Sequence, residues 1–340
     1  MIRPSLFVAS VAALAALSFT SSRVAAQQSS VPAAPAHEVP PAPEHPAPAA
    51  PAPTTAPVFP KPDPKNFTAT SPTVDTVNKF LQASWGYDSN RVWQVQAILA
   101  TPVEGISKVI IFIGDKTGKE RPAALQFFVL PDGKHIIAGN DIVSFGEHPY
   151  AEARAKLEAG ADGPFRGAAE KTLELVEFAD FECPHCKEAQ ANMDKLAVDF
   201  PMARIVFQNY PLERIHPEAQ RAAEYGVCVT KLGGSTAFFQ FAAAVFEGQQ
   251  GLLTADGATL TLNSAVTKAG LTPAKVDACA ADPATAAKVE ASVKLAQSLN
   301  VNQTPTLMIN GRLVPIGGVD YATIKKIVEY QAGLDGVSIK

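Results

Sequence analysis

The 340-residue sequence predicts an α/β domain with a helical insertion, preceded by a small α+β unit. The first observation is an apolar strand, a helix and a second strand in succession between Thr172 and Gln208, a pattern that favours two parallel strands joined by a crossover helix. The second is a mainly helical stretch from Ala219 to Leu299. The third is Asn310-Gly311 between two apolar runs, which is typical of a hairpin turn, followed by a last helix.

The composition sets limits on the class of protein. The length allows about two domains with proper cores. The net charge of −4 gives no reason to expect nucleic acid or an anionic membrane as a partner. Four cysteines are too few for a fold built on disulfides, so the apolar core has to drive folding.

Residues 1–26 are interpreted as a secretory signal peptide. Arg3 supplies the positive charge, Leu6 to Phe19 the apolar stretch, and Val24-Ala25-Ala26 a small-residue cleavage site. The apolar stretch is shorter than the about 20 residues that span a membrane, so a cleaved signal is favoured over an uncleaved anchor. Export predicts a periplasmic or secreted protein whose cysteines meet an oxidising compartment.

Residues 27–66 are expected to be a disordered linker. Of the 28 prolines in the chain, 13 fall between Val31 and Pro64, interleaved with alanine. Such a segment cannot bury a core and favours an extended conformation.

The small α+β unit is expected over residues 67–150. Apolar residues at helical spacing predict a helix from Val74 to Ala83. Four apolar runs then predict strands at Arg91 to Leu99, Lys108 to Ile113, Ala124 to Leu130 and His135 to Ala138. A turn at Pro131-Asp132-Gly133 joins the last two strands. One helix packed on an antiparallel sheet is the simplest arrangement of these elements.

The segment Cys183-Pro184-His185-Cys186 follows a predicted strand and begins the predicted helix that extends to Phe200. Pro184 suits the first helical position, where a missing N–H has no partner to lose. Free N–H groups and the positive end of the helix dipole favour a thiolate at Cys183. A lowered pKa makes the Cys183 thiol more reactive and a better leaving group, which indicates redox chemistry.

The neighbours of Cys183 also have expected roles. His185 would stabilise the thiolate further, and Cys186, one helical turn on, is expected to face inward as the resolving thiol. Asp180 and Glu182 are interpreted as solvated acids at the start of the helix. His216, which precedes a proline, is interpreted as a capping or packing residue and not as a catalytic one.

With this motif, with Thr304-Pro305 before the hairpin and with the helical insertion, the chain resembles the thioredoxin-fold thiol:disulfide oxidoreductases of the bacterial envelope, the DsbA-like and DsbC-like proteins. The resemblance implies a thioredoxin-like catalytic domain over residues 170–340, with its helical insert at 211–300, behind a helical linker at 151–169. The Cys-Pro-His-Cys sequence is similar to that of strongly oxidising DsbA-like members.

The resemblance also implies roles for single residues. Cys183 is the attacking cysteine and Cys186 its partner. Pro305 is the cis-proline beside them, and Thr304 before it offers its backbone to a substrate peptide. Glu177 takes the place of the family's buried acid, with a raised pKa that lets it pass a proton to or from Cys186.

The two halves of the chain resemble different enzymes. The run from Ala124 to Gly139 is similar to the N-terminal dimerisation domain of DsbC-like isomerases, which implies a homodimer through residues 67–150. The long interval between Cys186 and Pro305 resembles instead the DsbA-like oxidases. The first half therefore favours an isomerase and the second half an oxidase.

Cys228 and Cys279 lie in the helical insert, where similar exported proteins carry a cysteine pair. A structural disulfide is the first interpretation in an oxidising compartment, and two buried free thiols or a second redox pair are the alternatives. Zinc is not expected because only Cys183 and Cys186 are closely spaced. No other metal and no cofactor is expected.

The sequence thus predicts an exported DsbA-like oxidase that introduces disulfides into secreted or periplasmic proteins. Its expected partners are unfolded or cysteine-containing secreted proteins and a membrane disulfide reoxidase or reductant. The first alternative is a dimeric DsbC-like isomerase or reductase. The second is a non-catalytic envelope chaperone or binding module.

Overall fold

The computed structural model of the protein describes residues 59–118 and 121–339. The predicted signal peptide and most of the predicted linker, at 27–58, lie outside the described residues. No helix in the described part of the chain combines the length and apolar character needed to cross a membrane.

One helix and an antiparallel sheet form the first part of the structure. They are α1 (Val74–Trp85), β1 (Arg91–Ala100), β2 (Ser107–Asp115), β3 (Ala123–Val129), β4 (His135–Ala138) and β5 (Asp141–Ser144). Each strand pairs with the next along the chain, in the order β1-β2-β3-β4-β5. Thr73 caps α1 by accepting a hydrogen bond of 3.1 Å from the Thr76 N–H. The sequence did not predict β5, which is short and begins and ends with a polar residue.

The end of the predicted linker is folded. Residues 59–66 contain a short 3₁₀ helix, Pro64–Asn66, and contact the first sheet. Gln96 Nε2 donates a 3.0 Å hydrogen bond to the Pro60 carbonyl, and the Phe59 ring lies 6.4 Å from the ring of Phe112. Phe59 and Pro60 therefore contact the first sheet in a part of the chain that composition alone assigned to the linker.

The second part of the structure has twelve elements in chain order. They are α2 (Ala151–Gly160), β6 (Phe165–Gly167), β7 (Glu174–Ala179), α3 (Pro184–Asp199), β8 (Arg204–Asn209), α4 (Ala219–Glu247), α5 (Ala255–Lys268), α6 (Pro273–Ala280), α7 (Pro283–Ser298), β9 (Thr306–Ile309), β10 (Arg312–Pro315) and α8 (Tyr321–Leu334). The strand order is β10-β9-β7-β8-β6, and only β7 and β8 are parallel. The α/β fold with a helical insertion behind a small α+β part is confirmed.

Helices cover both faces of this second sheet. α3 and α8 pack on one face, against a core that includes Leu175, Ile205 and Leu307. α2 and α7 pack on the other face, against Val176 and Val206. Every residue of β7 is buried, as is typical of a central strand covered on both sides. β7 therefore leads from the middle of the core directly to the cysteine motif.

The structure differs from the predicted elements in a few places. The first part of the stretch predicted to be helical is α4, which breaks where Gly234 takes a positive φ of 76°. α6 and the three-residue strand β6 were not predicted, because both are too short for a clear periodic pattern. These differences leave the order of the sheet around the motif unchanged.

Arg312 of β10 anchors α1 on the second sheet. Its buried guanidinium donates to the Ser84 carbonyl at 2.9 Å and to the Ala83 carbonyl, both near the end of α1. It also donates to Gln331 Oε1 at 2.9 Å and lies 4.3 Å from the ring centroid of Tyr150. Carbonyls at a helix C-terminus carry partial negative charge, so they compensate a buried cation.

Candidate active site

Cys183 and Cys186 occupy the first turn of α3, where β7 ends at the edge of the sheet. Cys183 is the N-cap residue and Pro184 follows at the first helical position. Both cysteines are free thiols. The Cys183 residue retains 5% exposure while Cys186 has none. Cys183 is therefore the sulfur that a second molecule reaches first, as the sequence predicts.

The two thiols have opposite acidities. A hydrogen bond from the Cys186 thiol, the nearby Thr304 side chain and the backbone N–H groups of Cys186 and His185 together lower the pKa of Cys183 to about 5, although burial opposes them. Burial, together with the neighbouring Cys183 sulfur, raises the pKa of Cys186 far above its usual value. At neutral pH the site therefore holds a thiolate at Cys183 and a thiol at Cys186.

Thr304 lies beside Cys183, and Pro305 follows it in the chain. The Thr304–Pro305 peptide bond is cis. The Cys183 thiol donates to the Thr304 carbonyl over 3.6 Å. The Thr304 hydroxyl is buried, and no hydrogen-bond partner lies within its reach in the described part of the chain. The Thr304 side chain nonetheless contributes to the lowered pKa of Cys183.

Glu177 is a buried acid on β7, beneath the cysteines. Burial raises the pKa of its carboxyl to about 7. The Gln190 amide on α3 donates to Glu177 Oε1 at 2.9 Å and to the Cys186 carbonyl at 3.1 Å. The charge of Glu177 in turn raises the pKa of Cys186. Gln190, which the sequence did not indicate, thus links the acid to the cysteine helix.

His185 interacts with the Cys183 thiolate through its charge and not through a side-chain hydrogen bond. Its imidazole is exposed, and Nδ1 lies 3.0 Å from Glu188 Oε2, which raises the pKa of His185, and the charge interaction with Cys183 raises it further. The first turn of α3 directs this side chain to solvent, so the hydrogen bond from His185 that lowers the pKa of Cys183 comes from its backbone N–H. The His185 N–H thus adds a main-chain hydrogen bond to the charge interaction of the imidazole with the thiolate.

The interpretation of Asp180 and Glu182 as solvated acids is wrong, because the helical insert buries both. Asp180 accepts hydrogen bonds of 2.8 Å from the Leu212 N–H, from the Glu182 N–H and from His216 Nδ1. Glu182 accepts one of 2.9 Å from the Glu218 N–H, and burial raises the pKa of the Glu182 carboxyl. His216 thus packs against Asp180, in the structural role predicted for it.

Cys228 and Cys279 form a disulfide between α4 and α6. The Thr285 hydroxyl lies 3.6 Å from the first sulfur and 3.9 Å from the second. The bond joins two helices of the insert. In residues 59–118 and 121–339, no group of three His, Cys, Asp or Glu side chains is placed to hold a metal ion.

A cavity of about 330 Å³ opens between the end of β8 and helices α4 and α7. Its lining includes Asn209, Lys231 and Ser292 and does not include the cysteine motif. Thiol–disulfide exchange needs a reachable sulfur and not a deep pocket. The chemistry therefore lies at the start of α3.

Several solved structures are similar to this chain. Proteus mirabilis ScsC in a transitional conformation has a TM-score of 0.45 and 21% identity, covering 55% of this chain and 82% of that one. A periplasmic thioredoxin-like protein from Salmonella enterica serovar Typhimurium has a TM-score of 0.44 and 22% identity, with 54% and 97% covered. BdbD from Bacillus subtilis in its oxidised form has a TM-score of 0.40 and 24% identity, with 50% and 93% covered.

Curated relatives match a smaller part of the chain. The Na(+)/H(+) antiporter NhaA 3 of Salinispora tropica is 33% identical over 147 residues, which is 43% of this chain and 21% of that protein. The Na(+)/H(+) antiporter NhaA 1 of Salinispora arenicola is 32% identical over 147 residues, which is again 43% of this chain and 21% of that protein. The chain thus spans only about a fifth of the length of these relatives.

A family model described as Thioredoxin matches residues 161–330. The matched region runs from the end of α2 into α8 and contains the cysteine motif, the helical insert and the Thr304–Pro305 bond. The relationship inferred from the sequence is thereby confirmed at the level of the family. Since the match covers half of its length, the chain belongs to the thioredoxin family.

Proposed function

We propose that the protein is an exported thiol:disulfide oxidoreductase of the DsbA type, which introduces disulfides into secreted or periplasmic proteins. The observation that carries this proposal is the contrast between the two thiols, since the pKa of Cys183 is lowered to about 5 and that of the buried Cys186 is raised. A thiolate that is stable in the reduced enzyme makes the disulfide a stronger oxidant. Each factor of ten in the equilibrium constant corresponds to about 30 mV in the reduction potential.

The reaction takes place at Cys183 in two exchanges. A substrate thiolate attacks Cys183 Sγ of the oxidised enzyme, the Cys183–Cys186 bond breaks, and Cys186 leaves as a thiolate that takes up a proton. A second substrate thiolate then attacks the substrate sulfur of the mixed disulfide, and Cys183 leaves as a thiolate. The substrate has lost two electrons, which the enzyme now holds as the Cys183 thiolate and the Cys186 thiol.

Glu177 supports the proton transfer to Cys186. Its pKa of about 7 means that the carboxyl is partly protonated at neutral pH, so it gives up or takes back a proton with little cost. Gln190 contacts both the carboxylate and the Cys186 carbonyl and so fixes the acid relative to the helix. Thr304 offers its backbone to the substrate peptide beside the reacting sulfur.

The partners follow from this reaction. The substrates are unfolded or cysteine-containing exported proteins. A membrane disulfide reoxidase has to remove the two electrons after each turnover. The leader-like sequence at residues 1–26 supports a reaction in the periplasm or outside the cell.

A dimeric isomerase is the second candidate, and the antiparallel sheet of β1 to β5 favours it. Residues 67–69 pair with the outer edge of β1, whereas β5 pairs only with β4 in this sheet, and such an edge suits pairing with a second copy. In this reading the enzyme is kept reduced, and Cys183 attacks incorrect disulfides. The mass of the protein in solution, measured by sedimentation, distinguishes the two candidates. An oxidase of the DsbA type is expected to be a monomer, and the isomerase a dimer.

The decisive experiment is the redox equilibrium of the purified protein with glutathione. We expect a reduction potential well above that of glutathione, and a Cys183→Ser variant that no longer oxidises a reduced model substrate. A dimer with a potential at or below that of glutathione would replace the oxidase by the isomerase. Full function in Cys183→Ser would instead support the non-catalytic chaperone or binding module.

A further inference from the structure

Residues 180–183 connect β7 to α3 and place the reactive sulfur. The helical insert and the loop leading into it contact every residue of this connection. Leu212 and His216 bind the Asp180 carboxylate, and the Glu218 N–H binds that of Glu182. The Phe181 ring packs on rings of α4 and β8, at centroid distances from 5.3 to 6.2 Å, namely those of Phe207, Phe238, Phe241 and Phe246.

Gln249 makes a different kind of contact, because it binds the backbone of Cys183 itself. It begins the short 3₁₀ helix Gln249–Leu253 between α4 and α5 and is only 5% exposed. Its side-chain Nε2 donates to the Phe181 carbonyl at 2.8 Å and to the Cys183 carbonyl at 2.9 Å. Both N–H groups of this buried amide therefore donate hydrogen bonds to the backbone of the connection that carries the reactive cysteine.

The Cys183 carbonyl is also where α3 begins. It accepts hydrogen bonds from the Cys186 N–H at 3.1 Å and from the Lys187 N–H at 3.3 Å. A peptide plane held by three donors has little freedom to rotate. The orientation of this plane determines where the sulfur lies relative to the N–H groups of the first helical turn, and those groups stabilise the thiolate.

We propose that Gln249 is a positioning residue for the Cys183 thiolate: by fixing the Phe181 and Cys183 carbonyls, it holds the sulfur against the N–H groups of the first turn of α3. The helical insert thereby takes part in setting how readily Cys183 ionises. This inference rests on the proposed oxidoreductase function, which gives the thiolate its importance. It adds to that function a residue that lies far from the cysteines in the sequence.

The test compares two neighbouring glutamines in the full-length protein. Gln249→Met keeps the length of the side chain and removes both donors, while Gln250→Met makes the same change at an exposed position. The readouts are the ultraviolet absorbance of the thiolate as a function of pH and the redox equilibrium with glutathione. We expect Gln249→Met to move the titration of Cys183 upward by about one pH unit and the potential downward by about 30 mV, the value for a tenfold change. We expect Gln250→Met to change neither.

A purely structural role of Gln249 has a different signature. It would lower the melting temperature of Gln249→Met and leave the titration of Cys183 unchanged, and that result would overturn the inference. A Gln249→Leu variant guards against failure of the first variant to fold, since it also removes both donors but with a side chain of a different shape. It should raise the titration midpoint of Cys183 by a similar amount, and an unchanged midpoint there would also count against the inference.

The failure of the proposed function is distinguishable from the failure of this inference. If the unmodified protein exchanges no disulfides, the proposed oxidoreductase function is refuted, whatever the variants show. If the unmodified protein is active and Gln249→Met matches it in titration and potential, only the role of Gln249 is lost.

Discussion

His216 and Asp180 form a buried pair beside the active site, with imidazole Nδ1 2.8 Å from Asp180 Oδ2 and no exposed surface on the Asp180 side chain. The same carboxylate accepts from two backbone N–H groups, those of Leu212 and Glu182. The backbone N–H of Asp180 in turn lies 3.4 Å from Cys186 Sγ. This pair therefore joins the loop after β8 to the connection that carries the cysteines.

Loss of the Asp180 carboxylate should destabilise the protein strongly. Asp180→Ala leaves two buried N–H groups without an acceptor, and each such group costs on the order of 1–3 kcal/mol. We therefore expect the free energy of unfolding to fall by about 3 kcal/mol. Urea denaturation of the reduced protein measures this. Asp162→Ala, which breaks an exposed ion pair with Lys288, should cost no more than about 1 kcal/mol. Equal effects of the two substitutions would contradict the buried role of Asp180.

Removal of the Thr304 hydroxyl should make Cys183 less acidic. Thr304→Val keeps the shape of the side chain and removes a group that lowers the pKa of Cys183. We expect the rate of alkylation of Cys183, measured against pH, to rise at a higher pH than in the unmodified protein. Thr306→Val is the matched control, because the Thr306 hydroxyl donates to the Gln303 carbonyl and not to the sulfur. A shift of the same size in both variants would argue against a specific contact with Cys183.

Glu177 should give the folding free energy a distinctive pH dependence. Burial raises the pKa of its carboxyl from 4.5 to about 7, so the folded state holds a proton that the unfolded state releases. The contribution of Glu177 to stability is therefore greatest below pH 4.5 and declines as the pH rises towards 7, by on the order of 3 kcal/mol.

The comparison with Glu177→Gln isolates this effect from other titrating groups. The unmodified protein should lose stability relative to the variant between about pH 4.5 and 7, and the difference should be constant at higher pH. Denaturation midpoints at several pH values provide the measurement. A difference that does not vary with pH would mean that the Glu177 carboxyl keeps an ordinary pKa.

The disulfide between Cys228 and Cys279 should stabilise the insert without taking part in exchange. It closes a loop with a sequence separation of 51 residues, for which the loss of chain entropy predicts about 3–4 kcal/mol. A double variant, Cys228→Ala with Cys279→Ala, should unfold at a correspondingly lower urea concentration and retain its potential against glutathione. A large change in that potential would favour a second redox pair over a structural bond.

Much of the fold could be predicted because its signals are local. The apolar run of β7, the helical spacing of α3 and the Asn310-Gly311 turn each depend on a few consecutive residues. The cysteine motif is local in the same sense, since Cys183 and Cys186 are placed by the helix that contains them. The elements that escaped prediction, such as β5 and β6, are too short to show a period.

The local sequence favours a thiolate at the start of α3, because main-chain N–H groups that stabilise it belong to the same helical turn, and Thr304 adds to this effect from a distant segment. Only the packing of distant segments explains that Asp180 and Glu182 are buried, that His185 turns to solvent, and that His216 and Gln249 contact the connection from β7 to Cys183. Arg312 belongs to this second group, since two of its hydrogen-bond acceptors, the Ala83 and Ser84 carbonyls, lie on α1 near the other end of the described chain. Hydrogen bonds between distant segments depend on how whole helices pack, and no short stretch of sequence encodes that packing.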